Sequence, residues 1–209
     1  LAADDAPLEE AVTAALLESV DAGCEGLMLK RLDAPYEYSL GSKRSDAWVK
    51  LKKDYVDALG DSLDLVVIGG WQGQGRKSKW VSPILVATRD PETEVLGSVC
   101  RVMSGFTDVF YKDFTVRALG AEIGADAPAG DEAVLLRDSP APGVDTRERC
   151  LFWFEPRLVW EIRGADLSVS PTHRAAVGLV HESRGISLRF PRFIRERPDK
   201  TVEMACTPG

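Results

Sequence analysis

The sequence predicts an α+β fold in which a helix and two strands precede a small closed β-barrel. The helix is expected over residues 7–21, because apolar residues recur there at every fourth position and Gly23 lies where such a helix would stop. A near-continuous apolar run over residues 63–70, rich in Val and Ile, predicts a buried strand. Several short strands and one more helix follow this run, which fits a small barrel.

The remaining elements are expected in succession after that run. Residues 80–88 are the candidate hairpin partner of the first barrel strand, and residues 95–103 form another strand. Residues 107–119 are predicted to be a helix capped by Thr107. Further short strands are expected at residues 133–136, 151–154, 158–164 and 186–190. Three polar residues that follow a strand are interpreted as hydrogen-bonding residues of a turn: Asp166, Ser168 and Ser170.

Composition excludes several classes of protein. An apolar fraction of 44% suits a folded protein, and the sequence has no run of eighteen apolar residues that could span a membrane. The acidic start of the chain does not look like a signal peptide. The four cysteines are far apart and lack a Cys-x-x-Cys spacing, which predicts reduced thiols in an intracellular protein. His173 and His181 have no nearby acid pair, so neither is expected to bind a metal ion.

Two short segments near the start carry the most informative chemistry: Glu25-Gly-Leu-Met-Leu-Lys30 and Trp48-Val-Lys-Leu-Lys-Lys-Asp-Tyr55. If the second segment is a strand, Lys50 and Lys52 lie on one face, because side chains alternate along a strand. Two neighbouring strands would then present the carboxylate of Glu25 together with several cations. A metal-bound triphosphate needs that mixture, since carboxylates bind Mg²⁺ and lysines bind phosphate oxygens.

Both segments resemble the fourth and fifth motifs of the ATP-dependent DNA ligases, most closely the replicative DNA ligase I type and its archaeal relatives. The similarity continues in Asp64-Leu-Val-Val-Ile-Gly69, in residues 160–171 and in residues 185–200, the last of which is similar to the sixth ligase motif. The resemblance implies that residues 1–58 are the end of an adenylation domain and that residues 59–209 are an OB-fold barrel. The short polar stretch at residues 57–62 is the predicted hinge between them.

The resemblance also implies roles for individual residues. In the first domain, the residues matching the family's nucleotide contacts bind ATP or its AMP moiety: Glu25, Lys30, Arg44, Lys50 and Lys52. Glu25 would also help to bind Mg²⁺, and the two strand lysines would stabilise charge as it moves onto the leaving group. Near the end of the chain, the matching residues help ATP to react by contacting or orienting the leaving pyrophosphate: Arg192, Arg195, Arg197, Asp199 and Lys200.

Nicked duplex DNA is the second partner that the resemblance implies. Phe190 matches a residue that inserts into the minor groove beside the nick, with Arg189 next to it; a barrel-core position for Phe190 is the alternative. The net charge is −7, but six cations and only two acids lie from residue 184 to residue 200, so a local basic stripe can follow a phosphate backbone. Residues 70–79 lack the full phosphate-loop spacing and are predicted to be a hairpin tip, where Arg76 and Lys77 could contact DNA phosphates.

The family's reaction has three steps: a Lys attacks the ATP α-phosphate, AMP passes to the 5′-phosphate of a nick, and the 3′-hydroxyl displaces AMP. The nucleophile lies in a Lys-x-Asp-Gly motif, which this sequence does not contain. The first residue is not Met either, so the chain is expected to be the carboxy-terminal part of a ligase, unable to adenylate itself. By this resemblance the protein is a monomer without a membrane segment, acting in the nucleus or elsewhere inside the cell.

Two alternatives to the ligase hypothesis stay open at this point. The first is a nonenzymatic OB-fold module whose DNA binding is salt-sensitive and independent of nucleotide. The second is an mRNA-capping guanylyltransferase, which shares the general architecture. The Arg-Phe-Pro-Arg-Phe sequence at residues 189–193 argues against the second alternative.

Overall fold

The computed structural model of the protein describes residues 6–34, 47–52, 62–123 and 134–209. The chain divides into two compact units, Leu1–Gly60 and Asp61–Gly209. The predicted domain boundary after residue 58, most of the predicted hinge and the nucleotide contact predicted for Arg44 fall outside the described residues. The assignment of residues 1–58 and 59–209 to two ligase domains therefore stays a prediction.

The first unit begins with helix α1, Ala6–Asp21, which confirms the helix predicted from the apolar periodicity. Gly23 ends the helix with a φ of 78°, in the left-handed region that glycine adopts without strain. The amide of Cys24 donates a hydrogen bond of 2.9 Å to the carbonyl of Ser19, which closes the helix end.

Strands β1 (Gly26–Lys30) and β2 (Trp48–Lys52) follow and pair antiparallel, as the two opening segments predicted. Gly26 lies opposite Lys52 and has a φ of 141°. A Cβ atom at this position would overlap the carbonyl oxygen of Leu51. Only glycine therefore allows the two backbones to approach at the start of β1.

The second unit contains ten strands and one α-helix among its described residues. The helix, α2, spans Asp108–Ile123. The strands are β3 (Ser62–Gln72), β4 (Val81–Arg89), β5 (Leu96–Val102), β6 (Leu136–Arg137), β7 (Val144–Asp145), β8 (Phe152–Phe154), β9 (Val159–Arg163), β10 (Asp166–Ser170), β11 (Gly185–Arg189) and β12 (Arg192–Glu196).

The main sheet has the strand order β12-β9-β3-β4-β5-β7, and all of these pairs except β5–β7 are antiparallel. The ends of the antiparallel part meet, because the amide of Phe193 in β12 donates a hydrogen bond of 2.9 Å to the carbonyl of Ser104, just after β5. Gly105 permits this approach, since its φ is 91° and a Cβ there would overlap the backbone of Phe193. The sheet thus closes into the expected OB-fold barrel, with α2 inserted between β5 and β6.

Aromatic side chains fill the barrel beneath α2. The ring of Phe193 lies 4.5 Å from that of Phe106, 4.6 Å from that of Phe110 and 5.0 Å from that of Trp160, measured between ring centroids. The hydroxyl of Thr107 accepts a hydrogen bond of 3.1 Å from the amide of Phe110, which confirms the predicted helix cap. Residues 106–110 therefore contribute both to the barrel core and to the start of α2.

Most predicted barrel strands are confirmed, but the turn predicted at residues 166–170 is wrong. These residues form β10, which pairs antiparallel with β11. Asp166-Leu-Ser-Val-Ser170 alternates polar and apolar residues as a strand does, although Leu167 and Val169 are about half exposed. No strand was predicted at β12, whose residues lie within the predicted basic stripe of residues 184–200. The predicted strand at residues 133–136 is described only as the short β6.

Two further expectations concern membranes and thiols. None of the helices described in the structure is long and apolar enough to cross a membrane. All four cysteines are free, as the spacing predicted. His173 is buried, and its Nδ1 lies 3.4 Å from the hydroxyl of Ser98; burial lowers the pKa of this histidine.

Candidate active site

One face of the β1–β2 sheet carries three lysines, as the residue alternation predicted for two of them. Residues directly opposite each other in an antiparallel pair project to the same side. Lys50 lies opposite Met28, Lys52 opposite Gly26, and Lys30 opposite Trp48. The Nζ atom of Lys30 lies 4.4 Å from the centre of the Trp48 ring, so the indole supports the cation. Lys30, Lys50 and Lys52 form the "lysine face". It places three positive charges on one side of a sheet of two five-residue strands.

Glu25 precedes β1 and reaches the lysine face. Its Oε2 atom lies 3.4 Å from Nζ of Lys52, and its side chain is 57% exposed. Among the described residues, no group of three or more His, Cys, Asp or Glu side chains could hold a metal ion by itself. A Mg²⁺ ion at Glu25 would also be coordinated by phosphate oxygens and water, which is how Mg²⁺ usually binds at nucleotide sites.

A second group of charged residues, the "arginine cluster", lies where β3, β9 and β12 come together in the second unit. The guanidinium of Arg197 donates to Asp64 of β3 at 2.9 Å and to Asp199 at 3.0 Å. Nζ of Lys200 lies 2.5 Å from the carboxylate of Asp64. The cluster comprises Asp64, Glu161, Arg195, Arg197, Asp199 and Lys200.

A β-bulge aims Arg195 at this cluster. Phe193 lies opposite Ile162, and regular pairing would place Ile194 opposite Glu161. The register shifts by one residue, so that Arg195 takes that place instead. Nε of Arg195 donates to Oε2 of Glu161 at 2.7 Å, and the Arg195 side chain remains 63% exposed.

The structure brings four of the five residues predicted to act on pyrophosphate into the arginine cluster. The fifth, Arg192, is exposed on β12 opposite Arg163. Asp64 and Glu161 were not among the predicted site residues. An available signal was the position of Asp64 inside an apolar strand, because a buried carboxylate is costly unless cations compensate it.

The pKa of Asp199 provides a direct test of the cluster. Hydrogen bonds from Arg197 hold the pKa of this carboxyl at about 2, below the ordinary value of 3.8. Because the folded-state pKa is the lower one, the stabilising contribution is complete above pH 3.8 and is lost as the pH falls towards 2. The ¹³C shift of the Asp199 carboxyl is expected to titrate near pH 2 in the wild type and at a higher pH, closer to 3.8, in Arg197→Gln.

The control for this titration is Asp90, whose pKa is lowered mainly by the backbone amides of Thr93 and Glu92. Its midpoint is expected to be the same in wild type and Arg197→Gln. An Asp199 midpoint that does not move in Arg197→Gln would contradict the ion pair.

Phe190 lies in the turn between β11 and β12, where it is 52% exposed with a φ of 51°. The guanidinium carbon of Arg189 lies 5.2 Å from the centre of its ring. The alternative that places Phe190 in the barrel core is wrong, because Phe193 occupies that position. An exposed aromatic ring beside an arginine has the geometry expected of a group that contacts a nucleic acid.

The predicted hairpin tip is confirmed, since residues 73–80 connect β3 to β4. Nη1 of Arg76 lies 2.7 Å from the carboxylate of Asp108. Nζ of Lys77 donates to the carbonyl of Met103 and to the hydroxyl of Tyr111, both at 2.7 Å. These contacts fasten the tip to the start of α2, and the DNA contacts of Arg76 and Lys77 stay predictions.

Two models of known protein families match the chain. The family model described as ATP dependent DNA ligase C terminal region matches residues 77–200, and the ATP dependent DNA ligase domain model matches residues 4–52. The larger match alone covers more than half of the chain.

Relatives with the same family name are similar along almost the whole chain. DNA ligase 6 of Arabidopsis thaliana is 49% identical over 199 residues, which are 94% of this chain and 13% of that protein. DNA ligase 1 of Drosophila melanogaster is 47% identical over 192 residues, 91% of this chain and 24% of that protein. DNA ligase of Sulfurisphaera tokodaii is 37% identical over 191 residues, 91% of this chain and 29% of that protein.

The fold also matches solved structures. The structure titled Pmar-Lig_PreS3 is 21% identical and has a TM-score of 0.52, over 90% of this chain and 31% of that chain. This chain thus spans less than a third of each protein with which it was compared above. By its family matches and its relatives, the chain belongs to the ATP-dependent DNA ligase family.

Proposed function

We propose that this chain carries the end of the adenylation domain and the OB-fold domain of a DNA ligase that seals nicks in duplex DNA. The observation that carries the proposal is the lysine face with Glu25 beside it, in a chain of the ATP-dependent ligase family. Residues 1–58 would belong to the adenylation domain and residues 59–209 to the OB-fold domain.

The lysine face would bind the phosphate of ATP or of the enzyme-bound AMP. The pairing of β1 with β2 holds the three lysines on one side of the sheet, so their ammonium groups would stabilise charge on the phosphate together. Arg44, which lies outside the described residues, is the proposed additional nucleotide contact. Mg²⁺, held by Glu25 and phosphate oxygens, would supply further neutralisation of negative charge.

The second unit would contribute to two different steps. Arg192 and the cations of the arginine cluster would orient the pyrophosphate that leaves ATP. The exposed ring of Phe190, with Arg189 beside it, would enter the minor groove next to the nick, and Arg76 and Lys77 would contact phosphates farther along the duplex. The protein would act as a monomer in replication, repair and recombination, in the compartment that holds the genome (the nucleus of a eukaryotic cell).

A domain graft tests this function. The corresponding segment of Drosophila DNA ligase 1, which is 47% identical, is replaced by this chain, and sealing of a nicked duplex is measured with ATP and Mg²⁺. The hybrid is expected to seal nicks within about tenfold of the intact host, because grafted side chains restore both phosphate-binding groups. The isolated 209-residue chain, which lacks Lys-x-Asp-Gly, is expected to form no covalent adduct with labelled ATP.

A host from which the segment has been removed is the negative control and is expected to be inactive. A folded hybrid that binds nicked DNA in a salt-sensitive manner, yet seals none, would favour the nonenzymatic OB-fold module. A covalent AMP adduct on the isolated chain would show that a nucleophile other than the family's motif lysine is present.

A further inference from the structure

The three cations at the centre of the arginine cluster are held by two carboxylates that belong to neighbouring strands. Asp64 lies on β3 and Glu161 on β9, and their side chains are only 12% and 15% exposed. Both strands belong to the closed barrel, so the two carboxylates are fixed by backbone hydrogen bonds on either side. The cations come from β12 and from the loop that follows it.

Asp64 is attached to the barrel more firmly than a strand residue usually is. Its amide donates to Sγ of Cys206 at 3.2 Å, and its carbonyl accepts a hydrogen bond of 2.8 Å from the amide of the same cysteine. Its carboxylate accepts from both Arg197 and Lys200. The segment from Arg197 to Lys200 is therefore tied to β3, although the residues are far apart in sequence.

Glu161 has a comparable set of contacts. Its Oε2 atom accepts from Arg195 at 2.7 Å, and its Oε1 atom accepts from the hydroxyl of Ser62 at 2.8 Å. Nη1 of Arg197 lies 3.9 Å from the same carboxylate. Because Arg195 uses Nε for Glu161, its terminal nitrogens remain available at the surface to a ligand.

We propose that Asp64 and Glu161 are positioning residues that fix Arg195, Arg197 and Lys200 as a preformed site for a pyrophosphate group. The inference rests on the proposed function, in which this segment contacts the pyrophosphate that leaves ATP. Asp64 and Glu161 lie on barrel strands and are little exposed, whereas the side chain of Arg195 is 63% exposed. A rigid array of cations binds a phosphate group with less loss of side-chain entropy than flexible arginines would.

Whether the carboxylate variants bind pyrophosphate more tightly or more weakly distinguishes a positioning role from simple charge repulsion. Neutralising an acid beside a phosphate site removes repulsion, so electrostatics alone predicts tighter binding of pyrophosphate to Glu161→Gln or Asp64→Asn. Positioning predicts weaker binding, because the cations lose the hydrogen bonds that fix them. Tighter binding of pyrophosphate in these variants would also be expected if the two acids held the cations away from the ligand.

The affinity of the 209-residue chain for inorganic pyrophosphate is measured by calorimetry at one low salt concentration. Glu161→Gln and Asp64→Asn are each expected to bind about tenfold more weakly, the effect of losing one charge-assisted hydrogen bond. Glu155→Gln and Asp145→Asn are the matched controls, since each removes a carboxylate from an arginine ion pair outside the cluster. Both controls are expected to bind within about twofold of wild type.

A spectroscopic measurement on the same variants reports on the position of the arginine itself. In ¹⁵N NMR spectra, solvent exchange of the Nε proton of Arg195 is expected to accelerate in Glu161→Gln and to be unchanged in Glu155→Gln. A change in stability alone would not produce this difference. Glu161→Gln leaves the ion pairs of Asp64 with Arg197 and Lys200 in place, so it keeps the test decisive where Asp64→Asn does not fold.

The outcomes are distinct. Unchanged or tighter binding in Glu161→Gln, with wild type binding pyrophosphate, would overturn the positioning inference and leave the proposed function intact. No binding of pyrophosphate by wild type would remove the proposed role of the whole segment, and the positioning inference with it. Weaker binding together with faster exchange at Arg195 is the expected result.

Discussion

Replacing Phe193 by alanine is expected to lower the free energy of unfolding of the second unit by about 3–5 kcal/mol. The Phe193 side chain is 7% exposed and lies against the rings of Phe106, Phe110 and Trp160. Its removal leaves a cavity at the point where β12 closes the barrel, and it also removes the aromatic contacts. The equivalent change at Phe190, three residues earlier, is expected to cost less than about 0.5 kcal/mol because that ring is 52% exposed.

Urea denaturation of the 209-residue chain, followed by tryptophan fluorescence, measures both changes. Phe193→Leu keeps most of the apolar volume, and its free energy of unfolding is expected to be only about 1–1.5 kcal/mol lower. The effect of the position can therefore be measured even if Phe193→Ala does not fold. Binding to a nicked duplex is expected to show the reverse order, with Phe190→Ala weakened and Phe193→Leu unchanged. Equal destabilisation at the two positions would contradict the described placement of the rings.

The spacing of Phe190 and Phe193 shows what the sequence can predict about a buried ring and what it cannot. In a regular strand, residues three apart lie on opposite faces. If Phe190 and Phe193 belonged to one such strand, one of the two rings would face inward. Which ring that is depends on where β12 begins and on the positive φ at Phe190. Neither is visible in the pattern of residue types, because non-glycine residues rarely adopt such a φ.

Strands that form long apolar runs were predictable, whereas β10 and β12 were not predicted. β3, β4 and β5 have mostly buried residues and consist of apolar runs. β10 is only five residues long, pairs only with β11 among the described strands and leaves Leu167 and Val169 half exposed, so its short alternation was interpreted as a turn.

The lysine face was predictable, whereas the carboxylates of the arginine cluster were not. Lysines at alternate positions of one strand share a face by local geometry alone. Asp64 and Arg197 are 133 residues apart, and their contact depends on the order of the strands in the closed barrel. The bulge that places Arg195 opposite Glu161 shifts the register by one residue and has no signature in composition.

Replacing Lys50 by alanine in the grafted ligase is expected to slow every step that involves the adenylate by about 10²–10³-fold. The lysine face would contact the AMP phosphate, which is attacked in the first two steps and departs with AMP in the third, so its cations would stabilise the charge in each transition state. Replacing Arg195 by alanine is expected to slow only the formation of the ligase–AMP adduct by a similar factor. Pyrophosphate leaves in that first step and in no other.

Two assays on the same proteins separate these effects. Single-turnover incubation with labelled ATP measures the formation of the adduct, and sealing of a nick that already carries a 5′-adenylate measures the last step without ATP. Lys112→Ala is the matched control, because Lys112 is an exposed lysine on α2. It is expected to be within about twofold of the unmodified hybrid in both assays.

Arg195 is a better choice than Arg197 for this experiment because of their surroundings. Arg197 is 15% exposed, and its removal would leave the carboxylate of Asp64 buried with Lys200 as its remaining cation, so a loss of folding could imitate a loss of activity. Arg195 is 63% exposed, and Glu161 would keep its hydrogen bond from Ser62. If Arg195→Ala slowed the sealing of pre-adenylated DNA as much as it slowed the first step, the arginine cluster would have to act on the DNA and not on pyrophosphate.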